Sequence, residues 1–186
     1  MTTRKLLIEQ VRRKLAGGNV PNNFPITELE VGKMVDQTTN AVIATQCLQG
    51  LWDDYLTEYE DLPIKFDERK NLYYTDLPAK VISLPNQLGV FQVSTMQDQS
   101  SIFIPTTVNS QWLYPNLAEI LQGNSGYYNE QKKIYFVNYN PNDNTDTILL
   151  KLIVDRSEFD EEADYQIPPS IEEVIYATVL NKFTGK

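Results

Sequence analysis

Histidine is absent from this sequence, and cysteine occurs once, as Cys47. Without histidine the chain has no imidazole to act as a general base near neutral pH or to bind a metal, and no Ser-His-Asp or Cys-His arrangement can form. A single cysteine excludes an intramolecular disulfide and a thiolate zinc site, and the helical phase of Cys47 predicts a buried core position. We therefore predict a protein that is not an enzyme and that holds no cofactor and no metal.

Sequence motifs for phosphate binding and for ester hydrolysis are also missing. The patterns GxGxxG, GxxxxGK[ST] and GxSxG do not occur. No apolar run approaches the roughly 20 residues of a membrane span, and charges interrupt the apolar positions of residues 1–18, unlike those of a secretory signal. The sequence predicts a soluble protein made in the cytoplasm, without membrane contact.

Basic residues are scarce but concentrated at the amino terminus. The chain has 16 basic and 25 acidic side chains, a net charge of -9, which disfavours general nucleic-acid binding because phosphate contacts need clustered Lys and Arg. Residues 1–18 carry five basic side chains against Glu9 alone, so this segment has a charge of +4 and the remainder -13. The candidate subunit-interface residues are Arg4, Lys5, Arg12, Arg13 and Lys14.

Three interpretations of this basic segment remain open. In an oligomer, a basic helix could dock on the acidic surface of a neighbouring subunit. An ordinary amphipathic helix with a basic solvent-facing side accounts for the same residues equally well. Phosphate contact is a third and weaker interpretation, because the rest of the chain is acidic.

Helical spacing of apolar residues predicts two helices near the amino terminus. A threonine at position 2 or 3 caps the first helix, and Gly17-Gly18 ends it. Thr27 and Glu30 form a capping box that begins a second, long helix, which reaches at least residue 49 and breaks near Gly50.

A third helix is predicted at the carboxyl terminus. Pro168 and Pro169 favour an extended chain before it, and Ser170 with Glu173 matches a second capping box. Its apolar face needs a partner, and the long second helix is the natural one.

Short β-rich runs separated by turn residues occupy the middle of the chain. Two hairpins are predicted, with turns at residues 97–100 and 129–131, and a short helix is predicted over residues 109–121. Candidate strands cover residues 64–66, 72–75, 80–84, 90–96, 102–105, 127–129, 133–138 and 147–154.

These elements together predict an α+β fold. The N-terminal helices and the C-terminal helix form a helical bundle, and a mainly antiparallel β-sheet domain containing a short helix is inserted between them. We expect one assembly unit over residues 1–186, with an N-terminal helical part (1–62), an inserted β-rich part (63–156), and an acidic connector with the C-terminal helix (157–186).

Two acidic clusters could carry chemistry. Residues 155–164 could supply oxygen ligands for calcium, but the central glycine of an EF-hand loop is missing, which favours a solvated connector. Residues 53–61 include Asp53 and Asp54, which could belong to a glycosidase-like carboxylate pair. Clustered acids at the end of an amphipathic helix are more often its solvent-exposed side.

Tyrosine is plentiful, with 11 residues, several of them on the predicted strands. Aromatic strands can form a sugar-stacking surface, and Tyr127 and Tyr128 are the residues on which such a glycan site would depend. Tyrosine also has high strand propensity and is enriched at protein interfaces, so packing or subunit contact is favoured.

The order of elements and four segments resemble virion structural proteins of podovirus-like tailed bacteriophages, including crAss-like phages. The segments are YYTDLPAKVISLP, GVFQVST, YYNEQKKIYF and DYQIPPSIEEVIYATVLNKF. The resemblance covers roughly residues 27–183 and is one of pattern. It implies a head-to-tail connector or neck ring protein, similar to the tail adaptors of short-tailed phages.

The resemblance has several functional implications. Many copies would form a homo-oligomeric ring that contacts the portal protein and other neck or tail proteins, and DNA would pass through the channel without sequence-specific binding. The protein would be assembled in the host cytoplasm and reside in the virion. No catalytic residues belong to such proteins. The alternative we retain is a phage tail or baseplate binding module with a tyrosine-lined glycan site.

Overall fold

The computed structural model of the chain describes residues 3–85, 88–97, 99, 102–110, 125–140, 147–160, 162, 165 and 167–185. The chain divides into two compact units. The helical unit comprises Met1–Tyr55 and Val154–Lys186, and the sheet unit comprises Leu56–Ile153. Helices from both chain ends and an inserted, mainly antiparallel sheet domain confirm the predicted α+β fold.

In the described part of the helical unit there are three α-helices: α1 (Arg4–Leu15), α2 (Glu28–Leu48) and α3 (Pro169–Thr184). Short 3-10 turns lie at Asp53–Tyr55 and Arg156–Glu158. Each of the three helices packs against the other two, and apolar side chains from all three are fully or almost fully buried between them. These core residues are Leu7, Ile8, Val11, Val31, Val35, Ile43, Cys47, Ile171, Ile175 and Val179.

The ends of α2 follow the predicted signals. The Glu30 amide donates to Thr27 Oγ1 at 3.2 Å, and the Thr27 amide donates to Glu30 Oε2 at 2.8 Å, so the predicted capping box is formed. At the other end the helix stops at Leu48, and Gly50 has a φ of 88°, a conformation that glycine adopts without strain. The predicted break near Gly50 is confirmed.

The start of α3 differs from the predicted capping box. The helix begins at Pro169, and the capping position is Pro168, which makes no side-chain capping hydrogen bond. Ser170 is therefore the second residue of the helix and not its cap. The prediction placed the cap two residues too late, because a proline at the first helical position is itself a good helix start: its φ is preset and it lacks an amide that would need a partner.

The described residues of the sheet unit form eight strands in two sheets. They are β1 (Leu56–Pro63), β2 (Lys65–Asp67), β3 (Leu72–Asp76), β4 (Val90–Thr95), β5 (Ile104–Pro105), β6 (Gly126–Glu130), β7 (Lys133–Val137) and β8 (Thr147–Ile153). One sheet has the order β1-β8-β4 and the other β2-β3-β7-β6-β5. Only the β5–β6 pair is parallel among the pairs within these strands.

Strand β8 is the central strand of its sheet, and its sequence explains why. The residues TILLKLI place apolar side chains on both faces, and five of them are completely buried. A strand that is apolar on both faces is stable only when strands flank it and layers cover it. Strands β1 and β4 provide the flanks.

The segment assigned to the end of the N-terminal helical part forms a strand instead. Leu56–Pro63 pairs with β8, with Leu56 opposite Ile153 and Tyr59 opposite Leu150. Glu58 and Glu60 are both exposed and lie two residues apart, which is the period of a strand. Glu58 and Glu60, two of the acidic residues interpreted as the solvent-exposed side of a helix, are solvent-facing residues of this strand.

Two further β predictions are wrong in part. Residues 80–84 form no strand, only an isolated bridge at Val81. The hairpin predicted from β4 into residues 102–105 is reduced to one bridge, Ser94 with Ile102, and β4 pairs with β8. A distant apolar strand is the stronger partner here, and local spacing cannot reveal that. Residues 98 and 100 of the predicted turn, and residues 111–121 of the predicted short helix, lie outside the described residues.

The second predicted hairpin is confirmed as β6–β7. Its turn is shorter than predicted and consists of Gln131 and Lys132, since Glu130 pairs directly with Lys133. Both turn residues have positive φ, 50° and 67°, as a type I′ turn requires. Neither is glycine or asparagine, so the turn is strained.

We expect the double substitution Gln131→Asn, Lys132→Gly to stabilise the sheet unit by about 1–2 kcal/mol, because it relieves two left-handed non-glycine residues. Urea unfolding followed by hydrogen exchange of the sheet-unit amides measures the effect. Lys132→Ala is the matched control, because it removes the side chain and keeps the steric cost. Equal stability of both variants would contradict the strained turn.

Candidate subunit interface

Helix α1, which carries the candidate interface residues, is fixed at both ends by local hydrogen bonds. Thr3 caps its start by accepting from the Leu6 amide at 3.2 Å. At its end, the Gly18 amide donates to the Arg13 carbonyl at 2.8 Å, and Gly17 and Gly18 both have positive φ. The predicted glycine stop is therefore confirmed.

Arg4 is part of a buried network inside the helical unit. Its Nε and Nη2 donate to the two carboxylate oxygens of Asp36 at 2.8 and 2.9 Å, and only 15% of its side chain is exposed. Tyr165 donates its hydroxyl to Asp36 Oδ1 at 2.6 Å. Burial, followed by this hydrogen bond to Asp36, raises the pKa of Tyr165. The ion pair between Arg4 and Asp36 therefore links α1 to α2.

Gly32 makes this arrangement sterically possible. A Cβ at this position would lie 2.9 Å from Arg4 Nη2 and 3.3 Å from Ile8 Cδ1. The absence of a side chain on α2 thus lets α1 and the Arg4 guanidinium approach closely. Sequence reasoning missed this role, because a glycine inside a helix is usually only a destabilising residue.

Two other candidate residues also have partners within the chain. Arg12 Nη1 lies 3.2 Å from Glu28 Oε2, with 22% of the Arg12 side chain exposed. Lys5 Nζ lies 2.6 Å from Glu162 Oε1, and both side chains are well exposed. Exposed pairs of this kind contribute little to stability.

Arg13 and Lys14 differ from the other three because they line an open groove. The groove has a volume of about 570 Å³ and is lined by Gln10, Arg13, Lys14, Gly17, Gly18 and Tyr176. Arg13 makes one long contact, 3.5 Å, with Glu9 of its own helix. A second groove, of about 450 Å³, shares Gln10 and Tyr176 and is flanked by Glu172 and Glu173. This surface, which we call the α1–α3 groove, therefore has a basic end and an acidic end.

A fully buried arginine, Arg156, lies elsewhere in the helical unit. Its Nε, Nη1 and Nη2 atoms are buried and have no hydrogen-bond partner among the residues that the structure describes. The guanidinium stacks on Phe159, with Cζ 4.6 Å from the ring centroid. Burial lowers the pKa of Arg156. Cys47 is completely buried as predicted, and burial raises the pKa of its thiol.

The backbone around Arg156 is held by a separate set of bonds. The Arg156 amide donates to Asn40 Oδ1 at 3.0 Å, and Asn40 Nδ2 donates to Asp155 Oδ1 at 2.9 Å. Asp155 also accepts from the Ser157 amide at 3.0 Å. One member of the acidic cluster 155–164 is therefore a structural cap, and its position does not depend on the Arg156 side chain.

The tyrosines considered for a glycan site are buried. Tyr127 is 2% exposed and donates its hydroxyl to the Val90 carbonyl at 3.1 Å. Tyr128 is 1% exposed and stacks on Tyr135 with ring centroids 5.3 Å apart. Lys70 lies over the Tyr135 ring at 4.1 Å. These rings pack in the sheet unit and form no exposed stacking surface.

The burial of Tyr127 predicts a pH effect. Burial raises its pKa to about 12, whereas an unfolded tyrosine titrates near pH 10. Because the folded pKa is the higher one, the contribution to stability is complete below about pH 10 and is lost as the pH rises to about 12, by about 3 kcal/mol.

We expect Tyr127→Phe to be about 1 kcal/mol less stable than the natural chain near pH 8, because the bond to Val90 is lost. The deficit should vanish by about pH 11, where the natural chain has lost a similar amount. Urea unfolding at several pH values, read by hydrogen exchange of the sheet-unit amides, measures this. Parallel pH profiles for the two chains would contradict the assignment.

The acidic candidates Asp53, Asp54 and Glu58 lie on the surface of the described part of the chain. Asp53 and Asp54 are exposed on a 3-10 turn, and Glu58 lies 3.7 Å from Lys151. Among the described residues, no group of three or more acidic, cysteine or histidine side chains is placed to hold a metal ion.

Comparisons with known proteins do not identify a relative. No protein-family model and no curated protein matches the chain. Within the described ranges, no helix has both the length and the apolar character needed to cross a membrane.

Proposed function

We propose that this chain is a virion structural protein, a subunit of a ring at the portal vertex of a tailed bacteriophage. The ring would join the capsid portal to the tail and let DNA pass. The observation that carries the proposal is the chain order: both chain ends build one helical unit, and a sheet unit is inserted between them. This order is the one that the resemblance to tail adaptors implies.

The charge of the chain supports passage of DNA through the ring. A net charge of -9 disfavours stable contacts with phosphates, because binding requires Lys and Arg to release counterions. In the most basic helix, α1, Arg4 and Arg12 are paired with Asp36 and Glu28, which leaves fewer cations for phosphate contacts. A DNA strand moving past such a surface would not be held.

A structural role also agrees with the residue types of the chain. The complete lack of histidine removes the commonest general base, and the single cysteine is buried. The proposal therefore includes no catalytic activity and no cofactor. Its partners are further copies of this chain, the portal protein and other neck or tail proteins, and its location is the virion.

A glycan-binding module is the weaker alternative. It depended on Tyr127 and Tyr128, whose rings are 2% and 1% exposed. Because a sugar stacks on an exposed aromatic face, these residues do not support it. No observation on the described residues favours this function over the ring subunit.

Mass spectrometry of purified particles, from a phage whose genome carries this chain, tests the proposal. We expect the chain in the virion, in a fixed copy ratio to the portal protein and retained when the particles are washed at high salt. A chain found only in infected-cell lysate and absent from particles would overturn the proposal.

A further inference from the structure

Four of the five basic residues of α1 fall into two groups, and the fifth, Lys5, is exposed and paired with Glu162. Arg4 and Arg12 have mostly buried side chains paired with Asp36 and Glu28, so their charges are used inside the subunit. Arg13 and Lys14 are exposed at the basic end of the α1–α3 groove. The candidate interface residues are therefore reduced to Arg13 and Lys14, which lie on one face of α1 near its carboxyl end.

The basic end of the groove is open and its cations are available. Gln10, Arg13, Lys14 and Gly17 follow at helical spacings of three and four and so face the same side. Lys14 forms no ion pair with any residue that the structure describes, and the Arg13 contact with Glu9 is long and exposed. At Gly17 and Gly18 a Cβ would meet nothing within 4 Å. The site can therefore receive a segment of chain that carries carboxylates.

The chain itself supplies a segment with the matching charge. Residues 53–61 carry five exposed carboxylates in nine positions. Asp53 and Asp54 form no ion pair among the described residues, and Glu58 makes only the 3.7 Å contact with Lys151. By contrast, several other carboxylates already form ion pairs within the chain. They are those of Asp36, Glu28, Asp76, Glu130 and Glu162.

We propose that the basic end of the α1–α3 groove binds the acidic segment 53–61 of a second copy of this chain, with Arg13 and Lys14 facing Asp53 and Asp54. The two surfaces are different, so the contact is head-to-tail, and repeated head-to-tail contacts close into a ring when the rotation permits. The inference rests on the proposed function and names the contact between neighbouring subunits.

The expected strength of this contact follows from its chemistry. Exposed ion pairs contribute about 0.2–1 kcal/mol each, and more when the interface excludes water. Two such pairs give weak association that added salt reduces. Other virion proteins would add to it in the assembled particle.

Charge reversal in the full-length chain tests the contact. Arg13→Glu with Lys14→Glu, and separately Asp53→Lys with Asp54→Lys, should each weaken self-association about tenfold or more in sedimentation velocity at low salt. Combining all four substitutions restores the net charge and should restore the association. Lys33→Glu with Arg69→Glu is the matched control, because both residues are exposed outside the groove and the change in net charge is the same.

Three results would overturn the inference. They are no self-association of the natural chain at its highest soluble concentration, a control variant as weak as the groove variant, and a fourfold variant that stays dissociated. Circular dichroism checks that each variant is folded. These results leave the location of the chain in the virion unaffected. Conversely, a chain that associates through this contact but is absent from particles would refute the proposed function alone.

Discussion

Replacing Asp36 with alanine is expected to lower the free energy of unfolding of the helical unit by about 3 kcal/mol. The Asp36 carboxylate accepts two hydrogen bonds from Arg4 and one from the Tyr165 hydroxyl, at 2.6–2.9 Å. Without it the mostly buried guanidinium of Arg4 loses this two-pronged partner, and the completely buried phenol of Tyr165 loses an acceptor. Breaking one side of a buried pair costs more than the pair contributes, because the other charge stays buried.

Hydrogen exchange of amides in α1, α2 and α3 during urea unfolding measures this effect in the helical unit. Arg13→Ala is the matched control: it removes a charge from the same helix, and its exposed contact with Glu9 predicts a change within about 0.5 kcal/mol. Asp36→Asn keeps an acceptor and should fall between the two. An Asp36→Ala effect as small as that of Arg13→Ala would contradict the buried network.

Replacing Arg156 with methionine is expected to stabilise the helical unit by about 2 kcal/mol. The guanidinium is completely buried, and its three nitrogens have no acceptor in the described part of the chain. Burying a charge without hydrogen bonds costs several kcal/mol, whereas methionine has a similar length and adapts to irregular space. The loss of the stacking contact with Phe159 reduces the gain by about 1 kcal/mol.

Arg156→Lys serves as the comparison variant for this prediction. It keeps the buried charge and loses the planar group that stacks on Phe159, so it should be less stable than the natural chain. The backbone bonds through Asn40 and Asp155 are the same in all three chains. We expect stability to decrease in the order Arg156→Met, natural chain, Arg156→Lys, and thermal and urea unfolding measure this order. A methionine variant that is less stable than the natural chain would contradict the unpaired state of the guanidinium.

Local signals explain why the helical unit could be predicted from sequence. The Thr27–Glu30 capping box and the glycines at 17, 18 and 50 act within one or two turns of the chain, and each is observed. The hairpin β6–β7 is also local, since its strands are joined by two residues. Such features depend only on residues that are close in the sequence, so they can be predicted from the sequence alone.

Pairings between distant segments explain what sequence reasoning missed. Strand β1 looked helical because its acidic residues continue a helical stretch, and its strand character depends on β8, about 90 residues later. Strand β8 also pairs with β4, which was predicted to form a hairpin with residues 102–105. The pairing of a central strand is favoured by burial of its two apolar faces. The local spacing of residues does not show which distant strands will pair with it.

The five candidate interface residues were predicted together, and the structure shows that they make different contacts. Charge counting selected all five basic residues of α1 alike. Only the packing of α1 on α2 separates Arg4, which reaches Asp36 over Gly32, from Arg13, which faces the groove. Helical phase gave a partial signal, because Arg4 lies on the same face as the buried residues Ile8 and Val11.

A focused cryo-electron microscopy reconstruction of the portal vertex, from particles of a phage that encodes this chain, tests the central claim most directly. We predict a closed ring of copies directly associated with the portal, with the α1–α3 groove of each copy against residues 53–61 of the next. A ring of this chain with other contacts would retain the function and refute the interface. A portal vertex built entirely from other proteins would contradict the claim that this chain is a neck ring subunit.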